Sequence, residues 1–449
     1  MRTDEQKIRG RRGRGRLLSV LSAPMSIYRL RNETQTLDKT LTHRIQFPEN
    51  CQRLSFNLKT AKSKVFRGKR SSPYAWILDQ TSEERERGKS MTVAVAFFQS
   101  TKYNIVLLDS PGLGDFVPNM ISGTAQSDAA ILVIDASVGA YEVGMDNSKG
   151  QTWEHALLIR SFGIDQLIVA ITKMDAVGYS KDRFEFIRQQ LGVFLRTSRF
   201  KDSSGSWIPL SVTENQNLVS SPSDVRFKCW YKGRYLLDAI DSLQPPTREF
   251  SKPLLMPICD VIKSPTRGQV SACGKLEAGA LRIGSKILVL PSAVLGTVRT
   301  LDRDSNACTI ARAGDNVAVT LNGVGASHVV SGGVLCHPDF PVAIASHLEL
   351  KVIVLEGANP ILVGSQLEFH MRHSKELAEV SKLSSVVDPK APLAQRSVLR
   401  ILLAKQTALV EVILQRRVCV AESSKALGRV SLRALGRTIA VGLVTRIIG

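Results

Sequence analysis

VLLDSPGLGDF, residues 106–116, decides how the rest of the chain is read. An apolar, β-rich run ends in Asp109, and Ser110, Pro111 and Gly112 follow at once. That order predicts a buried strand delivering one carboxylate to a tight loop. A carboxylate so placed suits a magnesium ion beside the terminal phosphate of a nucleotide. The next residue, Leu113, can neither orient a water nor carry a proton. Binding and hydrolysis are therefore separate questions from the outset.

Working outward, MTVAVAFF (91–98) and NIVLLD (104–109) read as adjacent strands joined by the polar turn QSTKY. AAILVID (129–135) and QLIVAIT (166–172) are short apolar runs suited to a sheet buried on both faces. Helical patterns lie between and after them, in GQTWEHALLIRSFG (150–163) and DRFEFIRQQLGVFLRTS (182–198), and WIPLSV (207–212) adds another strand. This rhythm predicts a doubly wound, mostly parallel α/β domain with its ligand at the carboxyl ends of the strands. The proline-rich LQPPTREFSKP (243–253) reads as a linker, beyond which helical patterns nearly vanish. Short strands with Gly, Pro, Asn and Asp turns predict one small β-barrel, and a second β-rich set begins near His347. The expected division is a basic segment over 1–70, poorly ordered or arising from an incomplete or mis-spliced gene reading, an α/β domain over 71–242, and β-barrels over 251–338 and 342–449.

Composition narrows the class. No apolar run approaches the roughly 18–20 residues that span a bilayer, so no membrane partner is expected. The seven cysteines are scattered and never spaced C-x-x-C, which reads as reduced thiols in a cytoplasmic protein. His370 and His373 have no ligand partner in a recognisable motif and read as surface residues. Residues 1–70 hold 18 Lys/Arg against 5 Asp/Glu, giving +13 of the formal +20. A basic head on a mildly basic body suits an RNA partner, and RGRRGRGR (9–16) equally suits a solvated arm.

Four segments should meet at the strand ends: DQTSEERERGKSMT (79–92), DSPG (109–112), TKMD (172–175) and LSV (210–212). With YAWILDQTSEERERGKSMTVAVAFF, DSPGLGDFVPNMISGTAQSDAAILVIDASVGAYE and GQTWEHALLIRSFGIDQLIVAITKMD, they resemble the GTPase domain of the elongation factor 1-alpha family. WIPLSVTENQNL, GQVSACGKLEAGALRIGSKILVLP and ALGRVSLRALGRTIAVGLVTRIIG extend the resemblance over about residues 68–449. The SPG loop, the DNSKGQT segment and the ALGR…GRT ending are most similar to the Hbs-type ribosome-rescue branch, which partners Pelota. The family's fold, a G domain followed by two β-barrels, agrees with the pattern above.

The resemblance implies GTP and Mg²⁺ as ligands and gives roles to particular residues. Asp109 would hold Mg²⁺ through a water, Ser90 would ligate it from the switch position, and Gly112 N–H would sense the γ-phosphate. Asp175 would take the donors on the guanine edge, Lys173 would lay its stem on the base, and Ser211 would back it. Taken alone, Asp109 and Asp175 could be loop caps and Lys173 a solvated lysine; their order along the chain favours the ligand site.

Four departures from the family pattern stand out. No G-x-x-x-x-G-K-[ST] occurs, since GKR (68–70) is preceded by Ser63 where the first glycine should be and ends in Arg70. That loop supplies most of a phosphate cradle, so its loss weakens binding. Thr172 stands where the family has asparagine, and Lys89 where it has an apolar residue. Leu113 stands where a histidine orients the attacking water, which predicts slow turnover. The expected function is thus a translational GTPase of the ribosome-rescue type, monomeric, with a Pelota-type protein and the ribosome as partners. A pseudo-GTPase binding module and an aminoacyl-tRNA delivery factor are the alternatives.

Overall fold

A computed structural model describes residues 25–30, 82–87, 91–146, 150–200, 205–263, 270–304, 306–385 and 398–449. Its N-terminal domain is built on six strands: β1 (Met25–Leu30), β2 (Ala94–Gln99), β3 (Asn104–Ser110), β4 (Ala129–Asp135), β5 (Leu167–Thr172) and β6 (Gly205–Pro209). They lie in the order β2-β3-β1-β4-β5-β6, with only the β2–β3 pair antiparallel.

The central position of β1 departs from the sequence expectation. A strand from within residues 1–70 sits between β3 and β4, pairing Met25 with Ile105, Leu30 with Ser110, and Ile27 with Ala129. Without it, the facing edges of β3 and β4 would lack backbone partners in the middle of a buried sheet. MSIYRL is short and stands in strongly basic surroundings, so composition conceals it.

Both faces of the sheet are covered, which is why β4 and β5 are buried at every position. On one face Leu132, Ile134, Val169 and Ile171 pack with the helices α2 (Val117–Thr124), α3 (Gln151–Ser161) and α4 (Lys181–Thr197). The opposite face sets Ile131, Val133, Ile168 and Ala170 against α5 (Leu236–Asp241). The preceding short helix, α1, is Ser82–Arg87. In α4, Ser180 caps the start by accepting from Arg183 N–H, and Phe184, Ile187, Leu191 and Leu195 form the buried stripe.

Beyond the linker the chain is all β among the described residues. Strands between Leu255 and Cys336 follow one open path, a half-barrel, with a separate two-stranded pairing of Ala280–Arg282 and Ile310–Arg312. The last domain closes, because Gln366–Met371 pairs with both Ser374–Ser385 and Arg429–Ala434. Closure removes the exposed edges of that sheet.

Buried ion pairs fasten the domains together. Asp128, just before β4, accepts from Arg248 of the linker (2.7 Å) and from Lys275 of the half-barrel (2.7 Å), and all three side chains are under a tenth exposed. Burial alone would raise the Asp128 carboxyl, but Lys275 and Arg248 outweigh it and hold it at about 2. Arg433 of the closed barrel donates to Glu154 of α3 at 2.9 Å.

The histidines correct the surface expectation. His370 is only 2% exposed, and the Nε2 of His373 is shielded from solvent with no hydrogen-bond partner among the described residues. His370 lies near the end of Gln366–Met371 and His373 in the tight turn before Ser374–Ser385, so the absence of a metal motif said nothing about burial. Burial pushes His155, His370 and His373 down to about 4, 4 and 3. A depressed histidine is neutral when folded and protonates only on unfolding, so stability falls as pH drops from about 6.5 towards 4. Asp304, which burial raises to about 6, opposes this with one group. Urea midpoints should therefore drop between pH 7 and pH 4.5, and a flat profile would contradict neutral imidazoles at the buried His155 and His370 and the half-buried His373.

Candidate nucleotide site

The parallel strands bring their carboxyl ends to one rim. Register places Leu30 beside Ser110, Asp135 beside Thr172, and Ile171 beside Pro209. Asp109, Thr172, Lys173, Asp175 and Ser211 consequently share this rim, where an open α/β sheet binds its ligand. Ser90 and Lys89 lie outside the described residues, as do Ser63, the GKR segment and the basic head.

At the first strand end, Asp109 is buried and Gly112 follows in the loop. Leu113 is half-buried with extended backbone and accepts from Phe116 N–H (3.0 Å), opening a single 3₁₀ turn before α2. Gln151, the first residue of α3, reaches this loop. With its amide turned to suit its neighbours, it donates to Gly112 O and accepts from Gly114 N–H (2.7 Å). The backbone is therefore gripped on both sides of Leu113. Sequence reading missed Gln151, which lies 38 residues downstream of that position, and no local spacing signals the contact.

The base end is organised by residues that the sequence did and did not single out. Lys173 adopts the left-handed backbone region (φ 59°) and donates to Asp135 Oδ2 at 2.8 Å. Asp135 was missed, although it ends an apolar strand just as Asp109 does. Arg183 ties down the loop after it, donating to Ala136 O (2.8 Å) and Ser137 O (3.0 Å) and pairing with Glu142 (2.8 Å). Thr172 is buried, and its carbonyl accepts from Ala136 N–H.

Ser211 is fully buried, where its Oγ lies 3.1 Å from Thr213 Oγ1 and accepts from Glu214 N–H at 3.2 Å. Leu210 O accepts from Met174 N–H, which sets this loop behind the Lys173–Asp175 turn. Tyr179 donates to Glu214 (2.7 Å) and stacks on Phe227 at 4.9 Å between ring centroids. Burial, followed by the Glu214 hydrogen bond, raises the Tyr179 phenol well above its usual range. It stays a neutral donor.

Asp175 supplies the test of fit for a guanine ligand. Its Oδ1 is shielded from solvent and has no hydrogen-bond partner among the described residues. An acceptor in that condition is costly unless a donor arrives, and a purine edge carrying N–H groups provides one. The donor set therefore fits guanine at Asp175. Asp109, a buried carboxylate at the rim, has the hard oxygen chemistry that Mg²⁺ takes.

Comparison with known proteins agrees with this fold. The elongation factor Tu GTP binding domain matches residues 40–246, beginning upstream of residue 68, where the motif resemblance starts. The GTP-eEF1A C-terminal domain-like family matches residues 347–445. Protein HBS1 of Drosophila melanogaster is 38% identical over 382 residues, 85% of this chain and 57% of that protein, so the chain spans just over half of its length. Elongation factor 1-alpha of Aeropyrum pernix is 36% identical over 383 residues, 84% of this chain and 86% of that one. Among solved structures, the S. cerevisiae Ski7 GTPase-like domain bound to GTP matches with a TM-score of 0.76 at 18% identity, covering 96% of this chain and 98% of that chain. Translation elongation factor SelB from Methanococcus maripaludis matches at 0.64 and 17% identity, covering 95% and 79%. These two likenesses speak for the fold. With the identity to elongation factor 1-alpha spanning most of both chains, this protein belongs to the elongation factor 1-alpha class of translational GTPases.

Proposed function

We propose that this protein is a ribosome-rescue factor that binds GTP with Mg²⁺ at the strand-end rim and works with a Pelota-type partner on the ribosome. It acts as a cytoplasmic monomer. The observation that carries the nucleotide part is the shielded, donor-free Asp175 Oδ1 on the same rim as Asp109. The similarity to Protein HBS1 supports the rescue branch over aminoacyl-tRNA delivery. In this reading Asp175 reads the guanine edge, Thr172 and Ser211 shape the pocket around it, and Lys173 is held in place by Asp135. Asp109 with Ser90 would hold the metal, which supplies electrostatic stabilisation of the phosphates, and Gly112 N–H would face the γ-phosphate.

Slow turnover follows from Leu113, whose side chain offers no proton carrier. The grip of Gln151 on Gly112 and Gly114 favours a second reading, a nucleotide-binding module without turnover, because it holds that loop in one conformation. No transmembrane-length apolar helix occurs among the described residues.

Titration with fluorescent GTP and ATP tests the site. Wild type should prefer guanine, and Asp175→Ala should lose that preference, with GTP affinity down at least about tenfold, since an unpaired purine edge costs about 1–3 kcal/mol. Equal binding of ATP and GTP by the wild type would sink the assignment. Ribosome-stimulated phosphate release from Leu113→His should rise on the order of 10–10³-fold if the rest of the site is competent, whereas an unchanged rate favours the module without turnover. Recovery of aminoacyl-tRNA without a Pelota-type protein in pull-downs would overturn the branch.

A further inference from the structure

Between the N-terminal domain and the half-barrel lies a cleft of about 690 Å³, whose described lining includes none of Asp109, Thr172, Lys173, Asp175 and Ser211. One wall is the outer face of β2. Its alternation buries Ala94, Ala96 and Phe98 in the core and turns Val93, Val95 and Phe97 towards the cleft. Opposite stands the short strand Asp260–Lys263, paired on one side with Val270–Lys275. Val95 is 45% exposed and Ile262 is 55% exposed, so both walls offer apolar surface.

The polar lining has one sign. Asp260, Asp302 and Asp304 face the cleft, and none of its described lining residues is a lysine or arginine. This is unusual in a chain with a formal charge of +20. Arg303, between two of the aspartates in sequence, is engaged with Asp315 at 3.6 Å instead. Two shielded polar atoms of the lining have no partner among the described residues: Asp304 Oδ1 and His373 Nε2. A carboxylate oxygen can only accept, and a neutral imidazole can accept as well. The half-buried thiols of Cys259 and Cys273, which desolvation pushes up to about 12 and 11, bring no charge.

We propose that this cleft docks a cationic, amphipathic peptide segment of a partner protein, in which lysine or arginine alternates with apolar side chains. The amine or guanidinium supplies the donors that Asp304 and His373 lack, and the apolar side chains cover Val95, Phe97 and Ile262. Charge complementarity selects this occupant over an RNA end, whose phosphates three carboxylates would repel. The inference does not depend on the nucleotide site.

A fluorescein-labelled peptide alternating lysine and leucine provides the probe, with a glutamate–leucine peptide and a single-stranded RNA ending in CCA as comparators, all by fluorescence anisotropy on the full chain. General electrostatics repel a cationic peptide from a protein of this charge, so saturable binding reports a local acidic site. Binding should be seen for the lysine peptide alone. It should weaken at least tenfold in the paired Asp302→Asn/Asp304→Asn variant, and again in Val95→Lys, which places a cation on the exposed wall without touching the core. The urea midpoint of each variant is measured alongside, and Val95→Lys decides the matter if the paired variant unfolds. No binding by the lysine peptide, undiminished binding in Val95→Lys, equal binding of the glutamate peptide, or displacement by the RNA would each overturn the proposal.

Discussion

Ile27→Pro is expected to remove at least about 3 kcal/mol of stability from the N-terminal domain. Ile27 lies mid-strand in β1, opposite Leu107 on one side and Ala129 on the other. Proline there lacks the N–H of a ladder bond, and in sheets it is confined to edges, first residues and bulges. At an edge, water would compensate for the lost partner. In the centre of a sheet covered on both faces it cannot. All four tryptophans, at 76, 153, 207 and 230, precede the linker, so tryptophan fluorescence in urea reports this domain. A loss below about 1 kcal/mol would remove β1 from the sheet.

Asp128→Ala should cost a similar amount for a different reason. The substitution leaves Arg248 and Lys275 as buried cations without their shared carboxylate, and breaking a buried pair on one side typically costs about 3–5 kcal/mol. Lys275 keeps one partner, Gln126 O at 2.8 Å, which places the expected loss at the lower end of that range. Because the three groups come from the first domain, the linker and the half-barrel, calorimetry should show one transition splitting into two. The effect should persist in 0.5 M salt, since buried pairs are poorly screened. The wild-type contribution has its own pH window. The Asp128 carboxyl is depressed to about 2 from an ordinary value of 3.8, so its stabilisation is complete above pH 3.8 and fades as pH falls through 2. That lies below the windows of His155 and His370 and overlaps only the lower end of that of His373. Retention of a single transition with unchanged midpoint would show that the pair does not fasten the domains.

Much of this architecture is legible in sequence where local pattern and burial coincide. The runs AAILVID and LIVAIT become β4 and β5 because a strand buried on both faces must be apolar throughout. The helix over 182–198 is found within one residue, since its stripe and its Ser180 cap are both local. Asp109, Thr172, Lys173, Asp175 and Ser211 share a rim because strand ends in a parallel sheet converge, which is a property of topology. What escapes is non-local or masked by composition. MSIYRL is six residues in a basic stretch, and only the gap between β3 and β4 gives it meaning. The bond from Lys173 to Asp135 and the reach of Gln151 to the Leu113 loop join separate elements, so no spacing rule finds them. His370 misled because a histidine outside a ligand motif can be a surface group or a neutral core group with equal ease.

The placement of β1 also governs how this domain is made. A ribosome emits Met25–Leu30 first, yet both neighbours of that strand, β3 and β4, lie downstream of residue 103. At roughly 5–20 residues per second the interval is on the order of 5–20 s, during which a strand destined for the sheet's centre has no edge to join. The central pairing closes long loops on both sides and is entropically demanding. The half-barrel and the closed barrel follow still later. Nascent copies of this protein therefore pass through a period in which their central strand has no partner at all.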